Sequence, residues 1–358
     1  MNGPERRKRV TLADIAQATG VSLAAVSLAI RGESGVSDET RVRVLETARR
    51  LGYRGVGRPA IRSEKRVTVG LVIKAPVGDA PEANRFYASV MAGVDEMCRM
   101  REISLLFAAM PVDEQYYPLE VPHLVTSRMC DGLIVVGAHF NRDSAAVLAL
   151  GPPVILVDAF AEDLAFDSVG TDNIAGARAA VEHLIALGHR EIVLVGTRLD
   201  SFPSILQRRR GYELAIAEGE LRPHFVEVHH LTPEMAATAA AAYLEAHPEV
   251  TAAVCSNDDV AMALARAVQR DGTQVPERLS IVGFDDIDQA RLTSPPLTTL
   301  AVDKLGMGRL AVALLLHRLA FPDAAVVQAL VRPRLVERSS TRVEGSSTGA
   351  RQAACQPA

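Results

Sequence analysis

The sequence predicts a small all-α head carrying a helix-turn-helix, followed by a larger α/β domain built as two lobes. Three observations carry that reading: a capped helix-glycine-helix pattern within the first fifty residues, short uninterrupted apolar runs alternating with amphipathic stretches from Val67 onward, and a charge that changes sign between the two parts. Residues 1–66 hold 14 Lys and Arg against 7 Asp and Glu, the remainder 25 against 36, within a net charge of -4. A basic head on an acidic body suits a polyanion-binding module attached to something that stays off the polyanion. Charge alone identifies nothing, because solvated basic faces are common; it gains meaning from the motif beneath it.

In the head, Thr11-Leu12-Ala13-Asp14 has the layout of a capping box, with Asp in place of the usual Glu or Gln. A first helix is expected from Leu12 to about Thr19, burying Leu12, Ile15 and Ala16. Gly20 permits a sharp turn, and Ser22 can cap a second helix over residues 23–30. Ser37-Asp38-Glu39 starts a third, whose core stripe is Val44, Leu45, Ala48 and Leu51. Two short helices joined by a turn of three or four residues containing Gly form the helix-turn-helix pattern, whose second helix can enter the major groove. Unrelated helical hairpins share that pattern, so by itself it is only moderately specific.

The second part predicts strands over residues 67–73, 103–109, 132–138, 154–158, 191–196, 225–229, 252–256 and 279–284. Continuous rather than alternating apolar runs imply strands buried on both faces, as parallel sheets require. Amphipathic stretches such as 86–100, 173–187, 207–218 and 258–270 lie between them, the alternation of a doubly wound architecture long enough for two lobes. Ligands of such sheets sit at the carboxyl ends of strands. Asp158, Asn257-Asp258-Asp259 and Gly283-Phe284-Asp285-Asp286 stand there, with Phe86-Tyr87 opening a helix. Acids and amides take hydroxyls and aromatic faces pack on rings, so this set suits a polyhydroxylated or heterocyclic ligand. The plain alternative for each acid or amide is an ordinary helix cap.

At 358 residues the chain is too long for one core of ordinary size. Apolar residues make up 48%, without a run long enough to span a bilayer, and Arg6, Arg7, Lys8 and Arg9 are followed by no apolar signal core. A cytoplasmic protein is the expectation. Cys98, Cys130, Cys255 and Cys355 form no CxxC pair and no metal-ligand spacing, so reduced thiols packed as small hydrophobes are expected, with no metal and no cofactor.

The wording of the head is closer than its pattern. Residues 10–22 (Val-Thr-Leu-Ala-Asp-Ile-Ala-Gln-Ala-Thr-Gly-Val-Ser), Ala25-Val26-Ser27, residues 35–40 (Gly-Val-Ser-Asp-Glu-Thr) and Leu51-Gly52-Tyr53 resemble the lac repressor family. In the second part Asp172-Asn173, Gly176, His183-Leu184, residues 187–190, Arg208 with Gly211-Tyr212, Asn257-Asp258, residues 282–286 and residues 296–299 are similar to landmarks of the same family's effector domain. The resemblance covers roughly residues 10–340 and implies a two-lobed, periplasmic-binding-protein-like sensor domain. It implies a helix-turn-helix domain over 1–53, a hinge over 54–66 and an effector-binding domain over 67–340. The first lobe would take about 67–166 and 300–328, the second about 167–299 and 329–340. The Ser/Gly/Ala/Gln-rich tail, 341–358, is expected to be disordered. That tail has no leucine heptad, so a homodimer on a palindromic double-stranded operator is the expected assembly.

The DNA contacts implied by the resemblance are Thr11, Ser22, Leu23, Ala24, Ala25, Ser27, Leu28, Arg31, Thr40 and Tyr53, with Arg58 and Ile61 in the hinge. Departures matter here. The family usually carries Thr-Val-Ser-Arg where this chain has Ala25-Val26-Ser27-Leu28, and its base-reading positions align with Leu23, Ala24 and Leu28. None of these can make bidentate hydrogen bonds to guanine or adenine. Readout through thymine methyls, phosphates and DNA shape is one reading; polar contacts from Arg31 or an N-terminal arginine are the other. In the hinge, Pro59 can begin a helix but not sit inside one, Ile61 is the candidate minor-groove wedge, and Gly57-Arg58-Pro59 could instead lie extended in a narrow groove or form a plain linker.

Effector contacts implied by matched positions are Phe86, Tyr87, Asp158, Arg208, Asn257 and Asp285, and residues 187–190 read as a helix stop without a ligand role. The implied function is a dimeric, effector-controlled regulator, a repressor rather than an activator, with a sugar or sugar derivative as effector and a nucleobase or nucleoside second. Whether ligand releases the protein or acts as corepressor stays open. A solute-binding protein would need export and no basic head. An enzyme would need a nucleophile with its base, a metal cluster or a phosphate loop, and neither Gly-x-Ser-x-Gly, Gly-x-x-x-x-Gly-Lys nor His-Glu-x-x-His occurs.

Overall fold

The computed structural model describes residues 10–31, 35–51, 67–76, 84–127, 129–228, 232–270 and 272–345, in two units divided between Arg66 and Val67. The first unit holds helices α1 (Leu12–Thr19), α2 (Leu23–Arg31) and α3 (Asp38–Leu51). The Thr11 hydroxyl accepts from Asp14 N–H and the Asp14 carboxylate accepts from Thr11 N–H, so the capping box forms with Asp. Gly20 adopts φ 71°, where a side chain would be strained, and its N–H closes the helix on the Ala16 carbonyl. Ser22 Oγ accepts from Ala25 N–H at 3.1 Å and Ser37 Oγ from Thr40 N–H at 3.3 Å. Ile15, Val26, Ala29, Val44 and Ala48 form the core. Leu51, expected in that stripe, is exposed at the end of α3, while Thr47 is buried.

The second unit opens with β1 (Thr68–Pro76), α4 (Arg85–Met100), β2 (Ser104–Val112), α5 (His123–Thr126), β3 (Gly132–Val136), β4 (His139–Phe140), α6 (Arg142–Ala149), β5 (Val154–Val157), β6 (Phe160–Ala161) and β7 (Asp167–Thr171). It continues with α7 (Asn173–Ala186), β8 (Ile192–Val195), α8 (Pro203–Glu218), β9 (His224–Val226), α9 (Pro233–Ala246), β10 (Ala252–Cys255), α10 (Asp258–Arg270), β11 (Ser280–Asp285) and β12 (Thr298–Ala301). Helix α11 (Lys304–Ala320), β13 (Gln328–Val331) and β14 (Arg334–Val336) complete it.

Two six-stranded sheets result, in the orders β13-β7-β5-β3-β1-β2 and β14-β12-β11-β10-β8-β9. All neighbours are parallel except β12 and β14. Strands β3, β5, β8, β10 and β11 are buried along their whole lengths, which is why they read as unbroken apolar runs. Helices α4 and α11 pack backbone to backbone: a methyl on Gly93 would collide with the Leu305 carbonyl, and one on Gly308 with the Val90 carbonyl. One apolar cluster runs from Leu71 and Met307 in the first lobe to Phe284 and Leu300 in the second.

Three strand-to-lobe crossovers connect the sheets, after β7, β12 and β13. They fall a few residues later than the expected breaks before 167, 300 and 329. Strand β7 is short and polar and was not legible as a strand, yet it pairs with β5 and β13 inside the first sheet. Asp172 and Asp303 stand at the first two crossovers and cap α7 and α11, accepting from Ala175 N–H at 3.0 Å and Gly306 N–H at 2.8 Å. The tail is also corrected over 341–345. Thr341 Oγ1 lies 3.2 Å from the His183 ring and 3.1 Å from Thr298 Oγ1, and Glu344 N–H donates to the Leu187 carbonyl at 2.9 Å. Residues 346–358 lie outside the described residues.

Candidate DNA-binding head and ligand cleft

On the head, α2 buries Val26 and Ala29 and turns the other side of the helix outward. Ser22, Leu23 and Ala24 are exposed, Leu23 at 53%, while Ala25, Ser27 and Leu28 are half-buried. Thr11 is exposed and Thr40 half-buried. Leu23 is thus an apolar side chain on the outward side of α2. The backbone of Arg31 ends α2, whereas Tyr53, Arg58 and Ile61 lie outside the described residues, as does the hinge.

In the second unit the carboxyl ends of both sheets meet at a cleft lined by Lys74, Phe86, Tyr87, Tyr116, Asp158, Phe202, Ser204, Arg208, Asn257 and Asp285, with Asn84 and Ile205. All six residues anticipated from sequence therefore converge. Asn84 caps α4 by accepting from Phe86 N–H at 3.1 Å and Tyr87 N–H at 3.2 Å, which points the first-turn aromatics inward, and the two rings stand edge to face. Asp158 follows β5 with φ 42°, and its carboxylate accepts from Tyr87 Oη at 2.8 Å. Asp285 closes β11 with φ 111°, a left-handed conformation that costs energy in any residue but glycine.

Arg208 is fixed from three sides. Its Nε donates to Asn173 Oδ1 at 2.9 Å, one terminal nitrogen donates to the Ser256 carbonyl at 2.6 Å, and the other to Asp285 Oδ1 at 3.1 Å. The guanidinium also lies 3.8 Å from the centre of the Phe284 ring. Lys304 donates to the Asp285 and Asp286 carbonyls from behind. Asn257 spends its Oδ1 on the Val260 N–H at 2.9 Å as a helix cap, so the plain reading and the cleft position hold together.

Burial dominates the electrostatics. It raises Asp285 to about 6 although Arg208 pulls the other way, and it raises Asp158 against the opposing charges of Lys74 and Arg208. Tyr87 is held well above its ordinary range by burial and by the Asp158 charge. Asp258 sits under the cleft floor, accepting from Thr299 Oγ1 at 2.5 Å and Ile287 N–H at 2.9 Å, and burial together with the Asp285 charge raises it to about 8. Burial lowers Lys74 to about 8.

Sequence reasoning missed Lys74, Tyr116 and Phe202. A lysine within a buried apolar strand was the signal for Lys74, and an aromatic immediately before a helix-starting Pro203 was the signal for Phe202. Tyr116, in the loop after β2, carried no pattern. The two lobes touch at this site: Phe202 of α8's N-terminus meets Tyr116 and Phe160 of the first lobe at ring distances of 5.2 and 5.4 Å. Residues 187–190 make no cleft contact; Gly188 turns with φ 97° and His189 is buried against Thr251 Oγ1 at 2.9 Å and the Arg342 carbonyl at 3.1 Å. Among the described residues no group of His, Cys, Asp and Glu could hold a metal ion, and no single helix is long and apolar enough to cross a membrane.

Comparison with known proteins agrees with both parts. The family profile described as bacterial regulatory proteins, lacI family, matches residues 11–55, and that of the periplasmic binding protein-like domain matches residues 181–341. The ribose operon repressor of Haemophilus influenzae is 31% identical over 335 residues, covering 92% of this chain and 98% of that protein. The transcriptional repressor CytR of Escherichia coli K12 is 28% identical over 347 residues, covering 96% and 99%. Among solved structures, a lac repressor dimer bound to operator and the anti-inducer ONPF superposes with a TM-score of 0.69 at 24% identity, covering 94% of this chain and all of that one.

Proposed function

The chain belongs to the lac repressor family of bacterial regulators, and from that premise we propose that it is a cytoplasmic, dimeric repressor whose operator affinity is set by a small polyhydroxylated molecule in the interlobe cleft. The observation that carries this reading is the convergence, in a chain that also bears a capped helix-turn-helix, of Phe86, Tyr87, Asp158, Arg208, Asn257 and Asp285 on one cleft between two lobes. Fixed acids, an amide and a guanidinium held in place before any ligand arrives are what hydroxyl recognition needs, because binding then costs little ordering. The ribose operon repressor at 31% identity supports a sugar or sugar derivative.

The proposed mechanism is population shift. Ligand contacts to both lobes favour the closed arrangement, which changes the relative placement of the two heads in the dimer, and operator affinity follows. Leu23, Ala24 and Leu28 are assigned to the major groove, with Thr11, Ser22, Ala25, Ser27 and Thr40 around them, and Arg31, Tyr53, Arg58 and Ile61 to the groove margins and hinge. The test is a fluorescence-anisotropy selection of purified protein against random duplex DNA at two salt concentrations. A palindromic site bound well above background is expected, and its release or tightening then screens sugars and nucleosides. Weak, steeply salt-dependent, sequence-blind binding would overturn the reading.

A further inference from the structure

The cleft contains a charge that its own residues leave without a hydrogen bond. Lys74, near the end of β1, is 9% exposed, yet among the described residues its ammonium makes no hydrogen bond and no ion pair. Instead it lies over three rings, with Nζ 3.7 Å from the centre of Tyr116, 4.5 Å from Phe202 and 5.1 Å from Tyr87. Aromatic faces attract a cation but accept its N–H groups poorly, so the donors remain available on the side that lines the cleft.

The other cations near the site are committed. Arg208 is paired with Asp285 and tied to Asn173 and the Ser256 carbonyl, and Lys304 spends its ammonium on backbone carbonyls. Asp158 takes the Tyr87 hydroxyl rather than Lys74. Among the residues that line the cleft, Lys74 is thus the cation left without a hydrogen bond or an ion pair, while Arg208 is paired with Asp285. A buried ammonium is costly unless paired, and burial lowers its pKa to about 8 although the Asp158 charge pulls the other way without a hydrogen bond between them.

We propose that Lys74 is a specificity-determining residue and that the effector is a small hydroxylated monocarboxylate, a sugar acid, whose carboxylate pairs with the Lys74 ammonium inside the Tyr116–Phe202–Tyr87 cage. The hydroxyls fall to Asp158, Arg208, Asn257 and Asp285. A carboxylate brings the single negative charge that one ammonium can match, whereas a phosphate dianion would face the Asp158 and Asp285 carboxylates with a charge to spare. Phe202 comes from the second lobe and Lys74 from the first, so occupation of this corner would also hold the lobes together. This inference rests on the cleft being the effector site of a regulator.

Calorimetric titration of the full chain with matched probes tests it: D-gluconate, D-glucuronate, D-galacturonate and D-ribonate against D-glucose, D-galactose and D-ribose, with glucose 6-phosphate, ribose 5-phosphate and uridine alongside. At least one acid is expected to bind roughly tenfold or more tighter than its neutral parent, the scale of one charge-assisted hydrogen bond. Lys74→Met keeps the length and apolar packing and is expected to close that gap, while Lys74→Arg retains a preference for the acid. Tighter binding of a neutral sugar, a phosphate ester or uridine overturns the proposal, as does an acid preference that survives Lys74→Met, or no binding by any acid. Anisotropy on the selected operator separates the two levels. Specific operator binding with no response to the acids sinks only the carboxylate assignment, whereas sequence-blind DNA binding sinks the regulator itself.

Discussion

Arg208 and Asp285 form a buried ion pair at 3.1 Å, and the carboxylate belongs to a residue held at φ 111°. The pair joins α8 to the end of β11, so it fixes the strained backbone and the cleft wall together. Removing the cation leaves a desolvated carboxylate, the costly way to break such a pair. Arg208→Met is expected to lose about 3–5 kcal/mol in urea-induced unfolding of the second unit and to abolish any effector response of operator binding. A loss below about 1 kcal/mol would mean that water reaches the pair in solution.

Asp258 and Asp285 make stability depend on pH in an uncommon direction. Burial raises both in the fold, to about 8 and about 6, above the value of roughly 4 that an unfolded chain gives an aspartate. The folded state therefore holds these protons more tightly than the unfolded one. The stability each contributes is present below about pH 4 and is lost as pH rises, up to about 6 for Asp285 and about 8 for Asp258. His139, His183 and His189 are lowered by burial and act in the opposite sense, below roughly pH 6.5. Between about pH 6.5 and 8 the falling stability is assigned to Asp258. Asp258→Asn can keep one acceptor for Ile287 N–H, and it is expected to flatten the thermal stability profile in that window. A mutant whose profile falls as steeply as the parent's removes Asp258 as the cause.

Much of this was legible beforehand, and what was not has physical reasons. The buried strands and the helix over 258–270 read directly, because burial on both faces or one stripe leaves a periodic mark. Strand β7, Asp167-Ser-Val-Gly-Thr171, left none; its place comes from backbone pairing to β5 and β13 and from Arg318, whose guanidinium holds the Asp167 carboxylate at 2.6 Å. Thr341 to Gly345 were read together with the Ser/Gly/Ala/Gln-rich residues that follow them, yet Thr341 and Glu344 find partners remote in sequence. Lys74 follows directly on the apolar run 67–73 and was not singled out; only the fold brings Tyr116 and Phe202, from separate lobes, to its ammonium.

Arg85 on α4 and Asp259 on α10 bridge the lobes at 2.7 Å, with side chains 48% and 41% exposed. Exposed pairs contribute about 0–1 kcal/mol and are screened by salt. Arg85→Ala is therefore expected to leave the melting temperature almost unchanged. The same fraction of a kcal/mol acts on the balance between open and closed lobes, where it can shift populations severalfold. Small-angle scattering should show a more open average for Arg85→Ala at low salt, and no difference from the parent at high salt. Identical profiles at low salt would put closure on the Phe202 contacts with Tyr116 and Phe160 instead.

The head gives the sharpest test of how this protein reads DNA. Helix α2 presents Leu23 and Ala24 to solvent and keeps Leu28 half-buried, and none of the three can donate or accept a hydrogen bond. Contacts available to them are apolar, to thymine methyl groups, with phosphates and groove shape supplying the rest. The selected operator is expected to tolerate base changes that keep a methyl at the helix-contact positions, and to show no strict guanine there. Leu28→Arg adds a fork that can pair with guanine O6 and N7, worth about 1–3 kcal/mol of discrimination, so it should create a guanine requirement at one position of each half-site. A strict guanine requirement already present in the parent would assign readout to Arg31 or the N-terminal arginines. In that case Arg31→Ala, with the selection repeated, decides between them: loss of the requirement names Arg31, and persistence names the arm.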